Sequence, residues 1–345
     1  MTDMPSRTTS KDAASLAQST LPPRGTAYGK AVPVCSVVVP CFNAAATIAA
    51  TLDSASMQTL RNIEIIVVDD GSSDCSAHLI GALAESDTRI SLIQQANGGV
   101  SAARNAGIKA AKARFIALLD ADDLWATDHL QVHVRRLQNQ PVLGVSYSPA
   151  RFIDMQGHIT GQSRPKLDQL TPADLLHGNP TTTCSTLVIR RDVFRDVGLF
   201  RTNMRHNEDQ EWLFRVTLSG WVMTGDAMPR VDYRTTPGGL ASDLDSMHEG
   251  FKTLLAEARK LAPNLVRRNE TRAHATMLRY LARRAIRLGL DQKIARGFML
   301  AALRKEPWLL LAEPRSTIAT LAAALAPQAV TAAAMHSLRP RRAQA

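Results

Sequence analysis

The stretch FIALLDADDLW, residues 115–125, joins a run of apolar residues to a run of acidic ones. Five apolar residues bounded by polar ones are typical of a strand that is buried on both faces. Three carboxylates follow within four positions, at Asp120, Asp122 and Asp123. They are predicted to lie at the carboxyl end of the strand, which is the edge where open α/β sheets bind their ligands.

This acidic cluster has two interpretations. Like charges at such close spacing repel unless a cation lies among them, and closely spaced oxygen ligands suit Mg²⁺ or Mn²⁺ better than zinc. The alternative is a solvated turn in which Asp122 or Asp123 caps a helix that begins near Leu124. The eleven residues alone are compatible with both.

Three further segments have the character of buried strands. They are VCSVVVP (34–40), which is rich in β-branched residues and is stopped by Pro40, IEIIVVDDGSSD (63–74), which ends in acids, and RISLIQQ (89–95). Helix-like segments separate the strands, at 46–58, 75–86 and 100–112. Strands that alternate with helices of this length predict βαβ units and a parallel sheet.

The chain is predicted to have three parts. Residues 1–33 are rich in Ser, Thr, Ala and Pro, so we expect a disordered leader, and because it has no apolar core segment we expect no export signal. Residues 34–243 carry the α/β pattern, with looser strand candidates between 141 and 200 and a helix signal at 207–221. Residues 244–345 are predicted to form an Ala- and Arg-rich helical extension.

The basic charge of the chain is concentrated near its end. The formal net charge is +10, but residues 251–345 hold 18 Lys and Arg against 5 Asp and Glu, which leaves 23 basic and 26 acidic residues before them. A generally basic nucleic-acid-binding surface is therefore not expected. The four cysteines form no CxxC pair, which favours a reduced, cytoplasmic compartment. The uncharged stretch 316–338 is long enough to cross a bilayer, but it is rich in Ala and Thr and broken by Pro327, so we expect no membrane span.

Two common nucleotide-binding motifs are absent. The first strand runs into PCFNAAAT without a glycine, so GxGxxG is missing and a nicotinamide dehydrogenase is disfavoured; no GxxxxGK[ST] sequence occurs either. A glycine pair does precede a helix in ANGGVSAARNAG (96–107), where Arg104 lies one turn in and could bind phosphate oxygens near the helix terminus. The alternative is a glycine-rich turn followed by a surface arginine.

Taken together, four segments resemble the catalytic domain of family 2 glycosyltransferases, inverting enzymes that use nucleotide sugars. They are VVVPCFNAAATIAATLDSASMQTLRNIEIIVVDDGSSD, NGGVSAARNAG, FIALLDADDLW and GLFRTNMRHNEDQEWLFRV, and the resemblance covers about residues 34–243. It implies a Rossmann-like GT-A fold. It also implies that Pro40, Phe42 and Asn43 meet the nucleotide base and ribose, that Asp70 contacts the base, and that Arg104 approaches the phosphates.

The same resemblance implies roles for the acidic motifs. Asp120 and Asp122 match the DxD pair, with Asp122 holding Mg²⁺ or Mn²⁺, and Asp209 in NEDQEW matches the general base. Many relatives carry a histidine near the position of Thr236, so this chain departs from the family at a third protein ligand of the metal. The competing interpretation is that NEDQEW only begins a helix, because Asn207 and Gln210 have capping-box spacing and acidic residues are favoured in a first turn.

The function implied is transfer of a sugar from a nucleotide diphosphate sugar to a saccharide or lipid-linked acceptor, in cell-surface polysaccharide or glycolipid synthesis. The alternatives are a metal-dependent nucleotide-sugar hydrolase and a non-catalytic, degenerate transferase module that acts as a scaffold. The extension has two interpretations as well. Its apolar residues could pack on the catalytic domain, or its basic residues could hold the protein at an anionic membrane surface on the cytoplasmic face. The stripe in question is Leu278, Leu281, Ala285, Leu288 and Phe298.

Overall fold

The computed structural model describes residues 32–235 and 243–326, and two sheets organise that part of the chain. The strands are β1 Cys35–Cys41, β2 Ile63–Asp69, β3 Ile90–Gln94, β4 Phe115–Leu118, β5 Leu124–Trp125, β6 Leu143–Tyr147, β7 Ala150–Ile153, β8 Ile159–Gln162, β9 Val188–Arg190, β10 Val222–Gly225 and β11 Val231–Arg234. The helices are α1 Ile48–Ser56, α2 Ser76–Ser86, α3 Val100–Ala110, α4 His129–Asn139, α5 Pro172–His177, α6 Arg191–Val197, α7 Glu208–Leu218, α8 Leu244–Leu261, α9 Pro263–Arg287, α10 Gln292–Lys305, α11 Leu309–Ala312 and α12 Pro314–Leu325. The predicted leader up to residue 31 and Thr236 lie outside the described residues.

The larger sheet has seven strands in the order β10-β6-β9-β4-β1-β2-β3. Strands β1 to β4 are parallel, as the βαβ pattern predicts, while β9 runs antiparallel to β4 and β6. The reason lies just before β9, where the Leu187 carbonyl accepts a hydrogen bond from the Leu118 amide at 3.3 Å. Because β9 starts at the edge where β4 ends, it runs back along β4 in the antiparallel direction.

Strand β1 continues through Pro40 instead of stopping there. Pro40 pairs with Val68 of β2, and the strand ends one residue later at Cys41. The Val38 carbonyl accepts a hydrogen bond from the Leu119 amide, so it points toward β4. Pro40 lies two residues further along the strand, so its nitrogen points to the same side. At that point β1 has passed its last residue pair with β4. The missing proline N–H therefore removes no ladder hydrogen bond.

Helix α3 packs against the sheet through a glycine. A Cβ at Gly107 would lie 2.4 Å from Val38 Cγ1 and 3.3 Å from Val68 Cγ2. The helix backbone therefore approaches β1 and β2 as closely as only glycine allows. This contact sets the position of Arg104 on the same helix.

The C-terminal helices share a hydrophobic core with the α/β domain. Phe251 and Leu254 of α8, with Leu281 and Ala285 of α9, are fully buried in the same cluster as Trp212 of α7. The predicted apolar stripe is thus packing surface, with Leu288 and Phe298 partly buried at its margin. Within the described residues, no helix combines the length and apolar character needed to cross a membrane.

Candidate active site

The acidic residues after β4 form a tight turn. The Asp123 amide donates to the Asp120 carbonyl at 3.1 Å, and the chain then enters the short strand β5. The alternative prediction of a helix beginning near Leu124 is therefore wrong, because the next helix, α4, begins at His129. The turn leaves the three carboxylates together at the carboxyl edge of the sheet, as the sequence predicts.

Of the three acidic residues Asp120, Asp122 and Asp123, Asp123 stabilises the fold of the turn. It is fully buried, and its Oδ1 accepts from the Arg234 amide at 2.9 Å while its Oδ2 accepts from the Ser185 hydroxyl at 2.6 Å. Burial, followed by the negative charges of Asp122 and Asp120, raises the pKa of Asp123 well above its usual value. Asp123 thus ties the turn to the second sheet through β11.

Arg104 connects the two acidic motifs. Its Nη2 donates to Asp120 Oδ1 at 2.8 Å, and its Nη1 donates to Glu208 Oε1 at 2.9 Å. The guanidinium is buried and lies over the Phe200 ring, 5.7 Å from the centroid. The alternative of a surface arginine is therefore wrong. Its contact with donor phosphates stays a prediction, since the side chain is engaged with carboxylates of this chain.

The oxygen ligands fit a divalent cation at Asp122. Asp120 Oδ2 accepts from Thr183 and Asp123 is enclosed, whereas Asp122 is half-buried beside both. Burial first, and then the charges of Asp122 and Asp120, raise the pKa of Asp123, so all three carboxyl groups lie close together. Within residues 32–235 and 243–326, no three His, Cys, Asp or Glu side chains converge as a metal site. A cation at Asp122 stays a prediction, and Mg²⁺ or Mn²⁺ there would accept water and phosphate oxygens as further ligands.

Asp209 and Glu208 have different partners at the start of α7. Asp209 is half-buried, with Oδ2 accepting from Asn179 Nδ2 at 2.6 Å and Oδ1 accepting from the Gln210 amide at 2.7 Å. Burial is the main cause that raises the pKa of Asp209. Burial and the Asp209 charge raise the pKa of Glu208 to about 7, against the opposing effect of Arg104.

The capping box expected at the start of this helix is not formed. Asn207 has φ 61°, in the left-handed region, and its side chain makes no cap hydrogen bond to the helix backbone. Its Nδ2 instead donates to the Gln210 side chain at 3.0 Å. A non-glycine residue held in this conformation is uncommon and turns the chain sharply just before the two acids.

The predicted nucleotide-binding residues cluster at the ends of β1 and β2. Asp70 is buried and accepts from the Gly98 amide at 3.0 Å and the Gly99 amide at 2.7 Å, so it holds the glycine loop that precedes α3. Phe42 is 52% exposed, and Asn43 is exposed with φ 49°. The edge therefore presents the Phe42 ring to solvent, while Asn43 Oδ1 accepts from the Ser73 amide at 2.8 Å. Pro40 differs, because it is buried within β1.

Four residues of the site were not singled out from the sequence. They are Asn179, Thr183, Ser185 and Glu208. The segment TTTCST (181–186) is rich in hydroxyl groups, and that composition is the signal that could have indicated a polar site where only a strand was considered. Asn179 carries no local signal, since its contact with Asp209 spans 30 positions.

Comparison with known sequences identifies the α/β domain. Residues 36–198 match the family described as glycosyl transferase family 2. The chain is 33% identical over 192 residues to the putative glycosyltransferase EpsH of Bacillus subtilis, covering 53% of this chain and 55% of EpsH. It is 34% identical over 165 residues to the UDP-Glc:alpha-D-GlcNAc-diphosphoundecaprenol beta-1,3-glucosyltransferase WfaP of Escherichia coli, covering 47% of this chain and 62% of WfaP. The chain spans about half the length of the curated relatives that it matches.

Comparison with solved structures identifies the fold. S. aureus TarS in complex with UDP-GlcNAc superposes with a TM-score of 0.56 at 15% identity, covering 89% of this chain and 93% of that one. The mannosyltransferase PcManGT of Pyrobaculum calidifontis, in complex with GDP-Man and Mn²⁺, gives 0.55 at 18% identity, covering 90% and 89%. Both likenesses include the helical C-terminal region of this chain.

The parallel-rich sheet with an acidic turn at its carboxyl edge is the fold of GT-A type transferases, and the predicted fold class is confirmed. Residues 36–198, just under half of the chain, match glycosyl transferase family 2, and the predicted resemblance to that family is confirmed.

Proposed function

We propose that this protein is an inverting glycosyltransferase that moves a sugar from a nucleotide diphosphate sugar to a hydroxyl of a saccharide or lipid-linked acceptor. The observation that carries the proposal is the pairing of two acidic motifs by one buried arginine. Arg104 donates to Asp120 of the acidic turn and to Glu208 beside Asp209, and these contacts support a site that combines the acidic turn with the proposed base. WfaP, whose name describes a lipid-linked acceptor, supports a role in cell-surface polysaccharide or glycolipid synthesis.

In the proposed reaction Asp209 is the general base. Its carboxylate takes the proton of the acceptor hydroxyl while the oxygen attacks the anomeric carbon, the bond to the diphosphate breaks, and the electron pair leaves with the diphosphate. Attack on the face opposite the leaving group inverts the anomeric configuration. Phe42, Asn43 and Asp70 would form the nucleotide side of the site. A divalent cation held by Asp122, with Asp120 beside it, would supply positive charge for the diphosphate.

The alternatives predict different products. A metal-dependent hydrolase would release free sugar at full rate without an acceptor, and a scaffold module would not turn over a nucleotide sugar at all. The ordered contacts of Asp209 favour an enzyme, because a binding module needs no carboxylate held by two donors.

The test is a screen of nucleotide sugars by thermal shift, with UDP-glucose, UDP-N-acetylglucosamine and GDP-mannose, each with and without Mn²⁺. A donor that binds the folded state raises the unfolding temperature. The stabilising donor is then incubated with and without lipid-linked saccharide acceptors, and the products are separated. Acceptor-dependent transfer supports the proposal, whereas free sugar at an unchanged rate without acceptor identifies a hydrolase.

We also propose peripheral attachment to the cytoplasmic membrane face through the helical extension. Four apolar residues of this region are more than half exposed and are here named the α11–α12 face: Trp308, Leu311, Ile318 and Leu325. Ile318 and Leu325 lie two turns apart on one side of α12. An exposed tryptophan beside apolar residues is typical of helices that lie in the membrane interface.

Basic residues flank this face and provide charge complementarity to anionic lipid. Arg304 and Lys305 precede Trp308 and are exposed, and Arg315 is exposed one turn before Ile318. Arg279 is not available for lipid, since it is buried and paired with Glu313. The proposed attachment surface is therefore narrower than the whole basic extension.

A further inference from the structure

We infer that Asn179 is a positioning residue for the general base, holding the Asp209 carboxylate through its side-chain amide. The inference rests on the proposed function and adds to it a residue outside the four sequence segments that resemble family 2 glycosyltransferases. Asn179 follows α5 by two positions and reaches α7 across the site. Its Nδ2 lies 2.6 Å from Asp209 Oδ2, as close as a hydrogen bond to a charged carboxylate becomes.

The orientation of the Asn179 amide is determined by Thr181. The Thr181 backbone amide and hydroxyl lie 2.9 Å and 2.8 Å from Asn179 Oδ1. A backbone N–H can only donate, so the atom it meets must be the amide oxygen. The NH₂ group of Asn179 must therefore face Asp209. Thr181 is itself buried, which keeps this arrangement in place.

Two donors then determine the plane of the Asp209 carboxylate. The Gln210 amide holds Oδ1 from within the helix, and Asn179 holds Oδ2 from the opposite loop. A carboxylate with one donor could rotate about its terminal bond, whereas donors on both oxygens limit that rotation. Rigid placement of a base against the acceptor hydroxyl is a large part of its catalytic value.

The loop that carries Asn179 is supported by the C-terminal extension. His177, the last residue of α5, lies with its Nε2 3.1 Å from Asn269 Oδ1 of α9. Gln210 of α7 donates to the Leu175 carbonyl, so α5 is also held by the helix that bears the base. The extension thus supports the α5 loop that holds the proposed base, so the packing of the extension on the α/β domain is expected to affect catalysis.

The test exchanges the side chains of Asn179 and Asp209. The exchange distinguishes the stability that their hydrogen bond provides from the role of Asn179 in catalysis. Asn179→Asp keeps the size and the acceptor oxygen for Thr181, but it places a carboxylate oxygen against Asp209. The urea midpoint is expected to fall in this variant and to recover in the exchanged protein Asn179→Asp with Asp209→Asn, because the amide–carboxylate pair is restored with reversed polarity. Asn62→Asp, the same change at an amide that donates to the Val32 carbonyl far from the site, is the control.

Turnover distinguishes positioning from simple stability. With UDP-glucose and UDP-N-acetylglucosamine as donors and Mn²⁺ present, Asn179→Asp should lower kcat roughly 10- to 100-fold and leave the donor KM nearly unchanged. The exchanged protein should regain stability but not turnover. Failure of the exchange to restore the urea midpoint, or wild-type kcat in Asn179→Asp, overturns the inference. Wild-type kcat in Asp209→Asn alone would instead overturn the proposed base.

Discussion

At the scale of single residues, neighbouring carboxylates have different tasks because their surroundings differ. Asp123 is enclosed by Ser185 and a backbone amide, whereas Asp122 is half-buried in the same turn. Glu208 pairs with buried Arg104, and Asp209 is held by Asn179. Adjacent positions on a helix point about 100° apart, which allows this division between structure and chemistry.

The first prediction concerns Asp209. Asp209→Asn keeps the size of the side chain, so folding and donor binding should persist while transfer falls on the order of 10²-fold or more, the usual contribution of general base catalysis. Initial rates and donor affinity would be measured on the same preparation. Glu208→Gln is not a neutral control, because it removes the negative charge that pairs with Arg104. Unchanged turnover in Asp209→Asn would leave Asp209 only the role of an acidic residue in the first turn of α7.

The second prediction compares two positions of the acidic turn. Asp122→Ala should abolish Mn²⁺-dependent binding of UDP, measured by calorimetry, with urea unfolding measured on the same preparation. Asp123→Ala should instead lower the free energy of unfolding by roughly 1–3 kcal/mol, because it leaves the buried Arg234 amide without its acceptor. Equal effects on UDP binding and stability in both variants would contradict the division of roles.

At the scale of elements, local sequence patterns predicted the strands and the acidic edge well. The apolar runs that become β1, β2 and β4 lie within a few residues of their predicted bounds, because burial on both faces leaves a local pattern. The antiparallel β9 and the partners of Arg104 and Asp123 were not predicted. Arg104 and Glu208 are separated by 104 positions in the sequence, and Asp123 and Arg234 are separated by 111. No local pattern specifies a pairing over such a distance.

The third prediction concerns the packing of α3. Gly107→Ala should lower the free energy of unfolding by roughly 1–3 kcal/mol, because the added methyl would overlap a branched side chain of β1 that cannot move aside. It should also weaken donor binding by displacing Arg104. Gly81→Ala on α2 is the matched control, since a Cβ there meets nothing within 4 Å, and it should be neutral or stabilising. Equal urea midpoints for the two variants would show that α3 is not held by this contact.

At the scale of the whole molecule, the extension is part of the protein's core and also carries the proposed attachment surface. Helices α8 and α9 share buried side chains with α7, and α9 supports the loop of Asn179 through His177. Deleting residues 251–345 would therefore remove core helices and could not test membrane attachment by itself. Substitutions on the exposed α11–α12 face are the appropriate test.

The last prediction concerns that face. Trp308→Ser with Leu311→Ser should weaken binding to phosphatidylglycerol vesicles at least about tenfold, because two large side chains that are 69% and 71% exposed would lose their apolar contact with lipid. Co-sedimentation should require anionic lipid and weaken as salt shortens the Debye length below about 8 Å. Val142→Ser with Met228→Ser, two exposed apolar residues of the α/β domain, is the matched control and should bind like the wild type. Equal loss in both double variants, or equal binding to neutral phosphatidylcholine, would remove the membrane role and leave the α11–α12 face to another occupant.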